Sequence, residues 1–366
     1  MELSKNNVKV DKIKIDDDYF KKTPEMNKLL TIMAKHGTQN GYELLPKAPL
    51  YRVSFELHDT YAEFANAIRR TLISGVPVSS LLAEEFLEDG KTQNIETDDE
   101  FVSGATNILI KTISGIPISQ NEKYTKNFES YGLSLNVYNN SIEIIDVMAS
   151  DIKTNKANIT DIIPTPNILI TRLRPGKYLN IKKFKIQTET GDNDANSFTL
   201  LNNVSYNPIM VPYNAETGEG EKSMTYNCQK FNFSYLTKGN VPAIYPIQKT
   251  CDVLNESLDI IKKKIDAYAE AKSDIYYTGQ DIEVSITNGV YEFVFHGNGI
   301  SETFMLAKCC YKLDPNGELY NATIRRYESK IGILRIKHAE PIKILLDAIL
   351  ACKKDLQIVH DAFAKK

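Results

Sequence analysis

Residues 51–77 read YRVSFELHDTYAEFANAIRRTLISGVP, a strand, a turn and a helix in that order. Tyr51, Val53 and Phe55 alternate with Arg52, Ser54 and Glu56, the period of a half-buried strand. His58-Asp59 breaks the run. Thr60 with Glu63 predicts a capping box at the helix start. Gly75 is expected to end the helix in a C′ position, and Pro77 prevents its continuation. Between those ends Tyr61, Phe64, Ala65, Ile68 and Leu72 share one face at helical spacing, and Ala65 and Ala67 leave room for a second helix. Arg69 and Arg70 fall late in the helix, where cations suit the macrodipole. Alone, such a stretch fits any α+β protein.

Composition narrows the choice. A chain of 366 residues, 42% of them hydrophobic, can bury a sizeable core and more than one domain. The formal net charge of −3 lacks the basic excess of a free nucleic-acid binder, so DNA is expected to be met only indirectly. The five cysteines, Cys228, Cys251, Cys309, Cys310 and Cys352, form no C-x-x-C pair, which argues against a zinc ribbon and for buried thiols in a reducing compartment. The first residues, MELSKNNVKVDKIKIDDD, have no apolar core for a signal peptide, and no apolar run is long enough to suggest a membrane span.

Residues 1–22 read as a flexible or partner-docked arm, and 24–36 as a helix with a Met26, Leu29, Leu30, Met33 stripe. The acidic run ETDDE at 96–100 reads as the solvated start of a helix over 100–111; no His or Cys accompanies it to favour a metal cluster. Residues 133–137 and 142–145 are strand-like around a turn at Asn139-Asn140, inside a separate block that Pro164 and Pro166 close. Strands are expected on either side of Arg174-Pro175-Gly176. The loop NAETGEGEKS at 214–223 is not a Walker phosphate loop, because Glu221 rather than glycine precedes Lys222. Phe231, Phe233 and Tyr235 alternate as a strand before a long helix to about Ala271, whose seam is Leu254, Leu258, Ile261, Ile265 and Tyr268. No paired catalytic carboxylates, nucleophile and base, or cofactor motif stands out, so neither a catalytic residue nor a cofactor is expected.

The chain then repeats its plan. YRVSFELHDTYAEFANA lies over YEFVFHGNGISETFMLA, with Tyr51 against Tyr291, Phe55 against Phe295, Phe64 against Phe304 and Ala67 against Ala307. Each copy runs strand, turn, helix, further strands and a long seam helix. Two such modules would pack as a pseudo-symmetric pair through Phe64, Ala65, Ile68 and Leu72 on one side and Phe304, Ala307, Ile349 and Leu356 on the other.

FANAIRRTLISGVP, residues 64–77, resembles the dimerisation-helix signature of alpha-type RNA polymerase subunits, which include the bacterial alpha subunit, the archaeal D subunit and the third-largest subunit of nuclear RNA polymerase II. ILITRLRPGKYLNI (168–181), VMASDIK (147–153) and residues 230–265 are similar to further segments of those proteins. VYEFVFHGNG, NATIRRYESKIGILRIKH and the helix that Pro341 starts resemble the small partner, archaeal L or the eleventh subunit of polymerase II. A fusion of the two resembles the arrangement in large cytoplasmic DNA viruses of the asfarvirus and mimivirus groups.

The resemblance implies an α+β fold of two alpha-like dimerisation modules, packed as an intramolecular pseudo-heterodimer with an inserted β-rich subdomain. The implied boundaries are 1–47 for an N-terminal extension, 48–114 with 167–271 for the first module, 115–166 for the insert, 272–280 for a linker and 281–366 for the second module. It implies a non-catalytic assembly platform that docks the second-largest, largest and small subunits of a DNA-directed RNA polymerase, with Arg69 and Arg70 on a large subunit. It further implies an intracellular location, virion and cytoplasmic factory in the viral case, and neither membrane nor homo-oligomer. Some relatives bind a metal through insert cysteines; residues 115–165 have none, so no metal is carried over. The alternative is a stand-alone structural or interaction protein with the same fold.

Overall fold

The alternation around Phe55 produces the expected strand, and Val53, Phe55 and Leu57 are all buried. The computed structural model describes residues 7–17, 28, 50–192, 197–212, 224–271, 276–279, 282–296, 300–326 and 331–365. In chain order the first elements are β1 (Lys9–Asp16), β2 (Arg52–His58), α1 (Ala62–Arg70) and a π-helical turn over Thr71–Gly75. Next come β3 (Val78–Leu82), β4 (Ile95–Thr97), α2 (Glu100–Ser103), α3 (Thr106–Ser114), α4 (Glu122–Thr125), β5 (Ser134–Tyr138), β6 (Ile145–Met148) and β7 (Ile152–Lys153). Then α5 (Ile159–Ile162), β8 (Leu169–Leu173), β9 (Tyr178–Ile181), β10 (Lys185–Glu189), β11 (Leu201–Pro212), β12 (Met224–Thr237) and α6 (Tyr245–Ala271) follow. The last elements are β13 (Tyr276–Gly279), β14 (Ile282–Thr287), β15 (Val290–Phe295), α7 (Ile300–Leu313), β16 (Leu319–Arg326), β17 (Ile331–Lys337) and α8 (Pro341–Ala364).

The fold is mixed α+β, and two groups of its elements, here called units, follow a similar order. The first has an antiparallel sheet in the order β1-β2-β12-β11, the second one in the order β13-β14-β15-β17-β16. In each, a strand (β2 or β15) leads into a helix (α1 or α7). A hairpin (β11–β12 or β16–β17) then pairs its second strand with the first strand, and a long helix (α6 or α8) closes the unit. The apolar faces of α1, α6, α7 and α8 meet one another and the two sheets. A single core results, running from Val53, Phe55 and Ile68 through Leu254 and Ile265 to Phe293, Leu345, Leu356 and Phe363. The expected seam of α6 is wholly buried in it, as are Leu345, Ile349, Cys352, Leu356, Val359 and Phe363 of α8.

A second core lies between α1 and β11 in sequence. It joins Leu81, Ile95, Val102, Leu109, Ile113, Leu135, Ile152, Leu173, Ile181 and Phe184. The sheet β4-β9-β5-β7 and the pair β10-β3 bring residues on both sides of the expected 115–166 block into this core. Of the strands expected around Asn139, the first stands as β5, but 142–144 lie outside any strand with Ile142 and Ile144 exposed, β6 begins only at Ile145, and the two form no hairpin. β5 pairs with β7 and β9, while β6 pairs with β8. The Asn139 amide donates to the carbonyls of Glu143 and Leu173 at 2.8 Å each, and so holds the two sheets' ends together.

Other expectations are corrected. Part of the 1–22 arm is strand β1, an edge of the first sheet with a register shift between Asp11 and Lys14, whose Val10 and Ile13 pack on the core while its backbone pairs with β2. The 272–280 linker holds β13, which pairs with β14 from Tyr276 to Gly279. The helix over 100–111 is split in two after Ser103. The capping box is not formed: Tyr61 is the N-cap of α1 without a side-chain bond, and the Thr60 N–H donates instead to Gln229 O at 3.2 Å. Gly75 does not take a left-handed conformation; α1 runs on into the π-turn, closed by Val76 N–H to Thr71 O at 3.2 Å. The helix over 24–36, except Lys28, and the loop over 214–223 lie outside the described residues.

Candidate inter-unit interface

Helix α1 sits at the centre of the shared core. It packs on β11 and β12 of its own sheet, on α6, and on α7 of the other unit. Phe64, Ala65, Ala67, Ile68, Thr71 and Leu72 are buried, and the two alanines permit the close approach of α7. Of the sequence-expected pairing residues, Phe64, Ala65, Ile68, Leu72, Ala307, Ile349 and Leu356 all lie in this core.

Phe304 does not. It is half-buried and outside the core, whereas Leu306, Ala307, Cys309 and Cys310 are buried. That spacing repeats Phe64, Ala65, Ala67 and Ile68 of α1 two positions later than the sequence alignment places it.

Specific contacts tie the units. The Phe55 and Phe363 rings meet edge to face, 5.0 Å apart at 84°. Tyr268 of α6 meets Phe293 of β15 similarly, 6.1 Å apart at 88°. Such pairs contribute about 0.5–1.5 kcal/mol beyond area burial. The Tyr61 hydroxyl and the Cys352 thiol are 3.4 Å apart and hydrogen-bonded, and burial pushes the Tyr61 pKa well up, so it stays protonated. Lys353 of α8 reaches Asp259 of α6 at 2.5 Å. Backbone Val8 N–H donates to Asp355 Oδ1 of α8 at 3.1 Å, and Lys312 Nζ stands 4.0 Å from the same carboxylate. Burial raises the Asp355 pKa, against the pull of Val8, Lys312 and Lys354. Sequence reasoning missed Tyr61's tie to Cys352 and the Asp355 junction. No local pattern marks them, because the partners come from separate helices and a remote strand.

Arg69 and Arg70 lie on the rim of α1, half-buried. Arg69 donates through Nε and Nη2 to Asn66 Oδ1 at 3.0 and 2.8 Å, and its guanidinium stands 5.5 Å from the Tyr206 ring centroid. Its geometry is thus set within its own unit, and its outer edge borders β11.

The acidic run at 96–100 is structural. Asp99 is buried, caps α2 through Phe101 N–H at 3.0 Å, and accepts from Arg174 backbone N–H at 3.1 Å and Nε at 3.0 Å. Burial alone would raise its pKa, but the Arg174 and Phe101 donors outweigh that and hold it below the usual carboxylate range. Among the described residues no group of three or more His, Cys, Asp or Glu is placed to hold a metal ion. No described helix is long and apolar enough to cross a membrane. Compared with protein-family models and with curated proteins, the chain matches none of them.

Proposed function

We propose that the chain is a non-catalytic assembly platform of a multisubunit DNA-directed RNA polymerase, in which two alpha-like modules are fused as an intramolecular pseudo-heterodimer. One observation carries the reading. The segment 64–77, which resembles the alpha-type dimerisation signature, is the helix and π-turn buried between two units of matching strand order. Fusion makes the pairing intramolecular and keeps it intact at any concentration. The platform would present one rigid surface to the second-largest, largest and small subunits, with Arg69 and Arg70 at the rim of that surface. Tethering Arg69 to Asn66 and Tyr206 reduces the entropy lost when it binds a partner's carboxylates or carbonyls.

Affinity capture of the full chain from its native source tests this. Recovery of two very large chains together with RNA synthesis directed by DNA is the expected result. Recovery of the chain alone, or catalysis by the purified chain alone, overturns it. Arg69→Glu with Arg70→Glu should lower recovery of the large chains while the melting temperature stays near that of the parent.

A further inference from the structure

The second core displays apolar side chains at one end. Tyr138 of β5 and Tyr178 of β9 are partners across an antiparallel pair, and both are exposed. The Tyr178 N–H donates to Asp98 Oδ1 at 2.8 Å, which brings the start of α2 to the same end. There Phe101 is 73% exposed, with the Arg174 guanidinium 4.4 Å from its ring centroid. The loop after Tyr138 adds Ile142, 94% exposed, and Ile144, also exposed. Hydrogen bonds fix that loop. The buried Asn139 side chain accepts from Ser141 N–H at 3.0 Å and from Ser141 Oγ at 2.7 Å, and donates to the carbonyls of Glu143 and Leu173. Large apolar side chains grouped on a fixed surface leave water only when a partner covers them.

We infer that these five side chains, with Glu100 and Glu143 among them, dock a basic, partly apolar segment of another protein. Charge chooses the occupant. The cations on the same segments are already paired: Arg172 with Asp146 at 2.9 Å, Arg174 with Asp99 at 2.9 Å and Lys177 with Asp98 at 3.7 Å. Glu100 and Glu143, both exposed, are the carboxylates left over there among the described residues. Glu100 adjoins Phe101 in sequence, and Glu143 separates Ile142 from Ile144, so the surplus negative charge lies within the apolar patch. A lysine or arginine docked there meets a carboxylate at its head and apolar or aromatic surface along its stem.

Other occupants meet repulsion. A second copy seated symmetrically would bring the surplus carboxylates of both copies together. An anionic lipid surface or a nucleic-acid backbone would set phosphates against Glu100 and Glu143. The patch is also organised in advance. Buried Asp99 holds Arg174, and buried Asn139 holds the Ile142 loop, so less entropy is lost when a partner docks. The inference does not rest on the polymerase reading, because any protein that supplies the segment satisfies it.

The test places the photocrosslinker benzoylphenylalanine at position 138 of the full chain, in an extract of its native source, and sequences the crosslinked peptides. The expected product joins a peptide of a different protein with an excess of Lys and Arg beside apolar residues. Its yield should fall about fivefold in Glu100→Gln with Glu143→Gln, and about tenfold in Ile142→Ser with Ile144→Ser. Raising salt from about 50 to about 500 mM should lower the parent's yield as well. All four positions are exposed, so the melting temperatures of both variants should stay near that of the parent. Crosslinks to a second copy, to lipid or to nucleic acid overturn the inference. So does an acidic or uncharged peptide, a yield that either pair of substitutions leaves unchanged, or no product at all.

Discussion

At the scale of single residues, the donors around a buried carboxylate decide whether its charge stabilises or opposes folding. Ile68 is fully buried between units, so Ile68→Asp places a carboxylate with no partner in the shared core. The expected cost is at least about 4 kcal/mol, read from urea unfolding. Asp99 and Asp355 are both buried, with opposite consequences. Asp99 has a folded pKa below its unfolded value of 3.8, so its stabilisation is present above that pH and is lost as pH falls through the folded value. Asp99→Asn should cost about 2 kcal/mol at neutral pH and weaken this acid dependence. Asp355 has a folded pKa raised above 3.8, so its contribution is full below that pH and lost as pH rises through the folded value. Stability curves of Asp355→Asn and wild type should therefore diverge above that pH in favour of the variant. Parallel curves would show that the Val8 and Lys312 contacts fully offset its burial.

At the scale of elements, the turn after α1 sets how β3 leaves the core. Thr71–Gly75 is a π-turn, and a Cβ built on Gly75 would stand 2.9 Å from Thr71 Cγ2. Gly75 is needed for close approach rather than for a left-handed conformation. Gly75→Ala should cost about 1 kcal/mol by thermal unfolding, and Gly75→Ala with Thr71→Ser should recover most of it by removing the clashing methyl. The same logic explains β1. An eight-residue strand of KVDKIKID has lysines and aspartates at a sheet edge, plus a register shift between Asp11 and Lys14. Both features discourage pairing with another chain.

At the scale of the whole molecule, two cores imply two cooperative units. The first joins the N-terminal and C-terminal sheets through four helices, and the second is built from residues between Leu81 and Phe184. Calorimetry should resolve two transitions, with Asp99→Asn lowering one and Ile68→Asp the other. A single transition shifted equally by both would show that the cores melt together, coupled by ties such as Asn240 Nδ2 to Ile118 O at 3.0 Å.

Periodicity alone determined the strand at Phe55, the α1 face, the seams of α6 and α8 and the repeated order of elements. These depend on local spacing of apolar side chains, which any buried strand or helix must show. Tertiary structure alone decided partners. It assigned β5 and β6 to different sheets, turned Asp99 from a solvated carboxylate into a buried one held by Arg174, drew β1 and β13 into sheets, and shifted the buried face of α7 away from Phe304. Except for β13, which pairs with its neighbour β14, each of these depends on a residue far away in sequence. Short-range spacing says which face of an element is buried, but long-range contact chooses what buries it.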